Sequence, residues 1–119
     1  MRDEPVFAAE TSEPEAGIDL VVFTGDLDFA SGEQASAALA ALSGEARRVV
    51  VDLSGVGFVD SSGVKMLVAA ARAVEGEGGT FAVCAASAPV RRVIDILHLD
   101  QVVRLVETRA EAIAAVRVS

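Results

Sequence analysis

Two adjacent serines, Ser61 and Ser62, form the most informative pattern in the chain because they directly follow an aspartate. The segment Asp60-Ser61-Ser62-Gly63 lies between a short β-branched apolar run at residues 49–53 and a longer run with apolar residues at helical spacing. This pattern predicts a buried strand, a turn, and a helix whose N-cap is Asp60 and whose first turn contains both serines. Hydroxyls at a helix N-terminus, just beyond the carboxyl end of a strand, lie where α/β proteins usually carry their functional groups. We therefore look for the functional centre at this point.

Carboxylates also gather near predicted strand ends. Asp26 and Asp28 follow one predicted strand, Asp52 lies at the end of the next, and Asp60 precedes the helix. If those strands are parallel neighbours, their loops share one edge of the sheet and some of these acids come together. Such a cluster would suit a magnesium-dependent phosphotransfer enzyme of the receiver type, but that chemistry also needs a lysine at a strand end, and Lys65 falls inside a helix. The simpler interpretation is favoured: Asp52 ends its strand and Asp60 caps the helix.

The serines do not form the nucleophilic site of a hydrolase. Neither lies in a Gly-x-Ser-x-Gly segment, and the single histidine, His98, is near the end of a later predicted helix with no sign of pairing with them. A serine at a helix N-terminus can instead receive a phosphate from another protein, which adds about 1.5 to 2 negative charges where helix amides tolerate an anion. The alternative is that Ser61 and Ser62 only help to cap the helix, and the residues alone leave both interpretations open.

Size, composition and charge narrow the kind of partner. The chain has 119 residues, enough for one domain with a real core, and 52% of them are hydrophobic. Ten basic against eighteen acidic residues give a net charge of −8, and Trp and Tyr are absent from the sequence. This composition argues against binding to nucleic acid or to anionic membranes, because a basic patch would be needed to neutralise their phosphates. It favours a protein as the binding partner.

The N-terminal residues and the cysteine content indicate where the protein is located. Residues 1–4 lack the features of a signal peptide and are expected to be flexible, and no apolar run approaches the roughly 20 residues that span a bilayer. The single cysteine, Cys84, lies in an apolar segment and is expected to pack in the core rather than to react. We therefore expect a cytoplasmic protein.

Periodicity and turn signals predict strands that alternate with helices. The predicted strands are residues 5–9, 18–24, 49–53, 80–85 and 102–106. The predicted helices run from a capping box at Ser31 and Gln34 to a break at Gly44, from Ser61 to about residue 75, over 90–97 after Pro89, and from a capping box at Thr108 and Glu111 to Val116. Residues 11–17 are predicted to be a loop. This order predicts an α/β fold with about four or five strands, a largely parallel sheet in which only the first strand is reversed, and about four helices.

The second helix has two distinct faces. Its predicted core stripe consists of Val64, Leu67, Val68, Ala71 and Val74. On the opposite side Ser62, Met66, Ala69 and Ala73 line up, and this small, weakly polar face is either a docking surface or an ordinary exposed face.

With these residues in view, the chain resembles a stand-alone STAS domain, the family of bacterial anti-sigma factor antagonists and of the cytoplasmic domains of sulfate-type transporters. The resemblance covers nearly all of residues 1–119, and its specific motifs are Gly25-Asp26-Leu27-Asp28 and Asp60-Ser61-Ser62-Gly63. It implies a single domain that is not an enzyme, binds an anti-sigma factor serine kinase and thereby releases a sigma factor. The kinase would inactivate it by phosphorylating Ser61, with Ser62 as the second candidate. ATP and magnesium would belong to the kinase, so the resemblance implies no cofactor and no metal.

The predicted partner-binding surface consists of Asp26, Asp28, Asp60, Ser61, Ser62, Gly63 and Met66. Asp28 matches the acidic residue that the family carries near its serine. Where many relatives have Gly-Leu-Gly after the serines, this chain has Gly63-Val64-Lys65, which places a charge in the second turn of the helix. The alternative is a STAS subunit of a stressosome or of a lipid-transport ATPase complex, in which the same surface packs permanently against other proteins.

Overall fold

The structure is a computed structural model that describes residues 6–42 and 47–117. In chain order it contains β1 (Ala8–Glu15), β2 (Ile18–Thr24), α1 (Phe29–Ala40), β3 (Arg48–Gly55), α2 (Ser61–Gly76), β4 (Thr80–Cys84), α3 (Ala88–Ile96), a 3-10 turn (Leu99–Gln101), β5 (Arg104–Val106) and α4 (Arg109–Arg117). The predicted flexible residues 1–4, the start of the first predicted strand and the predicted helix break at Gly44 lie outside the described residues. Among the helices of residues 6–42 and 47–117, none combines the length and the hydrophobicity of a membrane-spanning segment.

The strands form one sheet whose spatial order is the same as their order in the sequence, β1-β2-β3-β4-β5. β1 is antiparallel to β2, and every later neighbour pair is parallel. The prediction of a largely parallel sheet with a reversed first strand is therefore confirmed. Because β2 to β5 are parallel, their carboxyl ends lie at one edge of the sheet, which we call the carboxyl edge.

Helices cover both faces of the sheet, but unequally. One face is covered by α1, α2 and α3, and β3 contributes Val49, Val51 and Leu53 to it. The buried residues of these helices and of β2, β3 and β4 form the larger core cluster. Val50 points to the other face, where α4 contributes Ala112 and Val116 to a smaller cluster. A strand buried on both faces carries apolar residues at successive positions, which is why Val49, Val50 and Val51 follow one another in the sequence.

The first strand corrects the prediction of a loop at residues 11–17. β1 runs from Ala8 to Glu15 at the edge of the sheet, and its residues Thr11, Ser12, Glu13 and Pro14 are exposed. An edge strand tolerates Pro and polar residues because it needs only one hydrogen-bonded neighbour and can face water. The hairpin to β2 closes at Gly17, whose φ of +84° favours glycine.

Helix α1 begins two residues earlier than its predicted cap. Its N-cap is Asp28: the Oδ1 atom of Asp28 accepts from the backbone N–H of Ser31 at 3.0 Å, and Ser31 Oγ accepts from the backbone N–H of Asp28 at 3.0 Å. The capping box is thus Asp28 with Ser31, and the predicted box of Ser31 with Gln34 is wrong. The predicted box of Thr108 with Glu111 is confirmed, because each residue's side chain accepts from the backbone N–H of the other.

Candidate functional site

Two loops lie side by side at the carboxyl edge and bring the sequence motifs together. The backbone N–H of Leu27 donates to the carbonyl of Phe58 at 2.9 Å, and the N–H of Asp60 donates to the carbonyl of Leu27 at 3.3 Å. These bonds form an isolated parallel bridge between Leu27 and Val59. The loop after β2 therefore lies directly against the loop that leads into α2, as expected for neighbouring parallel strands.

Asp60 joins the first turns of two helices. It is the N-cap of α2, where its Oδ1 atom accepts from the backbone N–H of Gly63 at 3.0 Å. Its Oδ2 atom accepts from the backbone N–H of Phe29, the first residue of α1, at 3.3 Å. The sequence predicted the cap of α2 but not the bond to α1, since the two residues are 31 positions apart.

The two serines have different surroundings. Ser61 is the first residue of α2 and is exposed. Ser62 is half-buried and lines a shallow groove between α1 and α2, together with Phe29, Ala30, Gly32, Glu33, Ser36, Lys65 and Met66. A second protein can therefore reach Ser61 more freely than Ser62.

Gly63 and Met66 serve the packing of α2. A Cβ atom at Gly63 would lie 2.3 Å from the carbonyl oxygen of Leu27, so only glycine lets α2 approach the neighbouring loop so closely. Met66 is 8% exposed and belongs to the larger core cluster, although the helical pattern placed it on the face opposite the core. It contributes to the floor of the groove between α1 and α2 rather than to an exposed surface. Val68, predicted in the core stripe, is partly buried against the same cluster.

The acidic residues divide into a group at the carboxyl edge and a single residue, Asp52, beneath α4. Asp26 is exposed and Asp28 is half-buried beside Asp60 at the carboxyl edge. Asp52 lies within β3, which continues to Gly55, so the prediction that the strand ends at Asp52 is wrong. Its side chain points to the face covered by α4. Within residues 6–42 and 47–117 no group of three or more His, Cys, Asp or Glu side chains could hold a metal ion.

Asp52 is a buried anion held by an arginine of α4. It is 3% exposed, and its Oδ2 atom accepts from Nε of Arg109 at 2.9 Å and forms an ion pair with Nη2 of Arg109 at 2.8 Å, while Oδ1 accepts from the backbone N–H of Ser54 at 2.8 Å. Burial alone would raise the pKa of the Asp52 carboxyl, but the hydrogen bonds from Ser54 and Arg109 outweigh burial and lower it. Asp52 therefore anchors α4 to the sheet as a carboxylate.

Cys84 lies beside Asp52 on the same face. It pairs with Asp52 in the register of β3 and β4 and is fully buried. Burial, together with the negative charge of Asp52, raises the pKa of the Cys84 thiol to about 12. The expectation that Cys84 packs in the core is confirmed, and the thiol stays protonated at neutral pH.

Two aromatic residues at this edge were missed by the sequence interpretation. Phe29 is 83% exposed and Phe58 is 51% exposed, and both border the bridge between the two loops. A signal was present in the sequence, because the helical neighbours of Phe29 at i+3 and i+4 are Gly32 and Glu33 rather than apolar residues. Phe29 therefore stands outside the apolar stripe of α1.

The fold and this edge define a small α/β domain whose accessible groups lie in two loops and at two helix N-termini. The STAS-domain family model matches residues 13–112, and the chain belongs to the STAS family. The α/β fold with four helices and a mostly parallel sheet agrees with solved structures of the family.

Similar proteins include anti-sigma factor antagonists. The anti-sigma-F factor antagonist RsfB of Mycobacterium tuberculosis is 29% identical over 102 residues, which cover 85% of this chain and 83% of the relative. The crystal structure of an anti-sigma factor antagonist from Mycobacterium paratuberculosis has a TM-score of 0.85 and 29% identity, and the match covers 94% of this chain and 95% of that one. An anti-sigma-factor antagonist (STAS) domain protein from Planctomyces limnophilus gives a TM-score of 0.80 and 30% identity, with 92% and 97% covered.

Proposed function

We propose that this chain is an anti-sigma factor antagonist that acts by binding another protein. In its unphosphorylated form it binds an anti-sigma factor serine kinase and so frees a sigma factor. The kinase then phosphorylates Ser61, and the phosphorylated chain no longer binds. The names of the similar proteins support the first part of this proposal, and the cytoplasm, where sigma factors act on RNA polymerase, is the location it implies.

The exposed position of Ser61 at the start of α2 is the observation that carries the phosphorylation step. In that step Oγ of Ser61 forms a bond to the γ-phosphorus of ATP, and the bond from that phosphorus to the bridging oxygen of the departing ADP breaks. The hydroxyl proton passes to a base of the kinase. The kinase supplies ATP and magnesium, so this chain is the substrate and not the catalyst.

A phosphate at Ser61 would change the surface without unfolding the domain. It would add about 1.5 to 2 negative charges at the N-terminus of α2, where the helix dipole favours an anion. The same charge would lie on a surface that already carries Asp26, Asp28 and Asp60. A partner complementary to the unmodified surface would then meet extra charge and bulk, which is how phosphorylation would end binding.

Ser61 is preferred to Ser62 because of exposure. Ser62 is half-buried against the groove between α1 and α2, so a kinase would have to open that contact to reach it.

A second candidate function is that of a STAS subunit packed permanently in a stressosome or a lipid-transport ATPase complex. The observation that favours it is a second, mostly apolar groove of about 250 Å³ that lies farther along α1 and α2 than the groove at Ser62, and that is lined by Leu39, Met66, Ala69, Ala70 and Ala73 among others. Stable copurification with such a complex, together with no phosphoserine in cells, would support this candidate.

The test is phosphate transfer from ATP and magnesium by candidate anti-sigma serine kinases of the same organism, followed by mass spectrometry. We expect one phosphate on Ser61. The Ser61→Ala variant should take up none and keep its binding to the kinase, whereas Ser62→Ala should be phosphorylated normally. Phosphate on Ser61→Ala at the wild-type stoichiometry would move the site to Ser62, and a folded chain that neither binds nor accepts phosphate from any of these kinases would refute the proposal.

A further inference from the structure

The aromatic residues of the chain fall into two groups. All five aromatic residues are phenylalanines. Phe23 and Phe81 are buried, and Phe7 packs on Phe23 with ring centroids 5.4 Å apart. The other two, Phe29 and Phe58, are exposed, and both lie at the edge that carries Ser61. The placement of both exposed rings beside one serine requires an explanation, because aromatic side chains are among the residues that gain most from burial.

The fold does not need these two rings. Phe29 is the first residue of α1, whose buried residues Ser31, Ala35 and Leu39 lie on another side of the helix. Phe58 lies in the loop between Val56 and Val59, which are the buried residues of that loop. A polar residue at either position would keep the same backbone hydrogen bonds.

The backbone nevertheless holds both residues firmly. The N–H of Phe29 donates to Oδ2 of Asp60, and the carbonyl of Phe58 accepts from the N–H of Leu27. Asp60 also caps the helix that begins with Ser61. Hydrogen bonds therefore hold the backbone of both phenylalanines in the same network that positions Ser61. Ordering the two rings on binding costs little conformational entropy, because each side chain has only two torsions.

Any kinase that phosphorylates Ser61 must surround its hydroxyl, so the residues next to it become part of the interface. We propose that Phe29 and Phe58 are the apolar anchors of the kinase complex. The surface of the kinase that receives them is an apolar pocket with basic side chains around it. This inference rests on the proposed function and specifies the chemistry of the partner.

Charge and shape support an apolar pocket with a basic rim. Three acidic residues lie within four positions of Phe29 in the chain: Asp26 and Glu33 are exposed, and Asp28 is half-buried. The whole chain carries a net charge of −8, which would attract a basic surface over a distance. The shallow groove from Phe29 to Ser62 has a largely apolar lining, so it continues the surface that the rings begin. Lys65 lies on the α2 side of this groove and would face an acidic or uncharged part of the partner.

The test compares three alanine variants with the wild-type chain, using the kinase that phosphorylates the wild-type chain. Phe29→Ala and Phe58→Ala remove the proposed anchors. Ile96→Ala is the matched control, because Ile96 is 67% exposed and lies at the end of α3, away from the carboxyl edge. The dissociation constant is measured by calorimetry, and kcat and KM are measured for phosphate transfer to Ser61.

We expect each Phe variant to raise the dissociation constant and KM by about tenfold or more, as alanine substitution does at binding hot spots. We expect kcat to stay within about twofold of wild type because the serine is unchanged. Ile96→Ala should leave all three constants within about twofold. Phe29→Glu, which adds a charge at a fully accessible position, should abolish measurable binding, and thermal unfolding of each variant confirms that it is folded.

Two results would overturn the inference, and they can be told apart. If the wild-type chain binds and is phosphorylated on Ser61 while both Phe variants behave like Ile96→Ala, the anchors are wrong and the proposed function stands. If the wild-type chain itself shows neither binding nor phosphorylation, the proposed function is wrong, and the anchors lose the interface to which they were assigned.

Discussion

The Oδ2 atom of Asp60 accepts a hydrogen bond from the backbone N–H of Phe29 at 3.3 Å, so the cap of α2 also holds the first residue of α1. The other oxygen of the same carboxylate accepts from the N–H of Gly63 at 3.0 Å. Each oxygen thus satisfies an N–H in the first turn of a helix, a group that has no partner within its own helix. The geometry of the candidate site depends on this one side chain more than on either serine.

The first prediction concerns Asp60. We expect Asp60→Ala to lower the free energy of unfolding by about 1 to 2 kcal/mol, because the variant loses an N-cap and a second hydrogen bond. Asn keeps one acceptor oxygen for the N–H of Gly63 but turns its NH2 group toward the N–H of Phe29, so Asp60→Asn should cost less than Asp60→Ala while still losing the bond to α1. Urea unfolding measures both. Equal losses for Ala and Asn would show that the carboxylate oxygens do not hold the two helices.

The second prediction concerns close packing at Gly63. A Cβ atom there would lie 2.3 Å from the carbonyl oxygen of Leu27, so Gly63→Ala forces α2 away from the neighbouring loop. We expect a loss of about 1 to 3 kcal/mol in the free energy of unfolding.

The matched control for Gly63 is Gly32. Gly32 lies within α1, and an added Cβ would meet nothing within 4 Å. Gly32→Ala should therefore stabilise the chain by about 0.4 to 1 kcal/mol through helix propensity and a less flexible unfolded state. A neutral or stabilising effect of Gly63→Ala in the same urea experiment would contradict the close approach of α2 to Leu27.

The third prediction concerns the pH dependence of Asp52. The pKa of its carboxyl is lowered in the folded chain from an ordinary value of 3.8, because hydrogen bonds from Ser54 and Arg109 outweigh burial. The folded state therefore binds this proton less readily than the unfolded state, and the stabilisation is fully present at neutral pH. It is lost as the pH falls below 3.8 and through the lowered folded pKa.

The variant for this prediction is Asp52→Asn. We expect it to cost roughly 1.5 to 3 kcal/mol at neutral pH, the usual contribution of hydrogen bonds to a charged group. The difference from wild type should shrink as the pH falls below 3.8. Asp95→Asn is the control, because Asp95 forms an exposed pair with Arg91 at 3.3 Å and should have almost no effect. A difference between wild type and Asp52→Asn that is constant with pH would exclude this role of the charge.

The fourth prediction separates stability from binding at Ser61. Ser61→Asp places a negative charge in the first turn of α2, where the helix dipole favours it by about 0.3 to 1 kcal/mol. The nearby Asp60 carboxylate opposes part of that gain, so we expect thermal stability to be unchanged or slightly raised. Binding to the anti-sigma factor kinase should nevertheless fall by about tenfold or more. Ser61→Asn, which has the same shape without the charge, should bind better than Ser61→Asp, and equal binding by the two would rule out charge as the basis of the switch.

The elements that the sequence predicted well are those with local signals. Residues 20–23 of β2 and residues 49–51 of β3 are apolar runs because these strands are buried on both faces, and α2 combines an N-cap at Asp60 with a regular apolar stripe. β1 lacks such a run because it lies at the edge of the sheet. The start of α1 was misplaced because Ser31 fits two capping boxes, and only the fold decides that it is paired with Asp28.

The contacts that the sequence could not predict join distant parts of the chain. Arg109 binds Asp52 across 57 residues, and Asp60 binds Phe29 across 31 residues, so neither leaves a pattern of fixed spacing. Strand order was likewise open because the crossover helices can place each parallel strand on either side of the previous one. The position of Met66 in the groove follows from how α1 packs against α2, which helical periodicity alone does not describe.

The unequal covering of the sheet has a consequence for how the chain is made. All five strands precede α4 in the described chain, so the residues of the sheet are synthesised before the helix that covers its second face. Until α4 packs on the sheet, its second face exposes the apolar residues Ile18, Leu20, Val50, Ala82 and Cys84. The Asp52 carboxylate likewise has no bond to Arg109 until α4 is in place. We therefore expect a chain without α4 to be a substrate for chaperones and proteases, because it exposes this apolar surface.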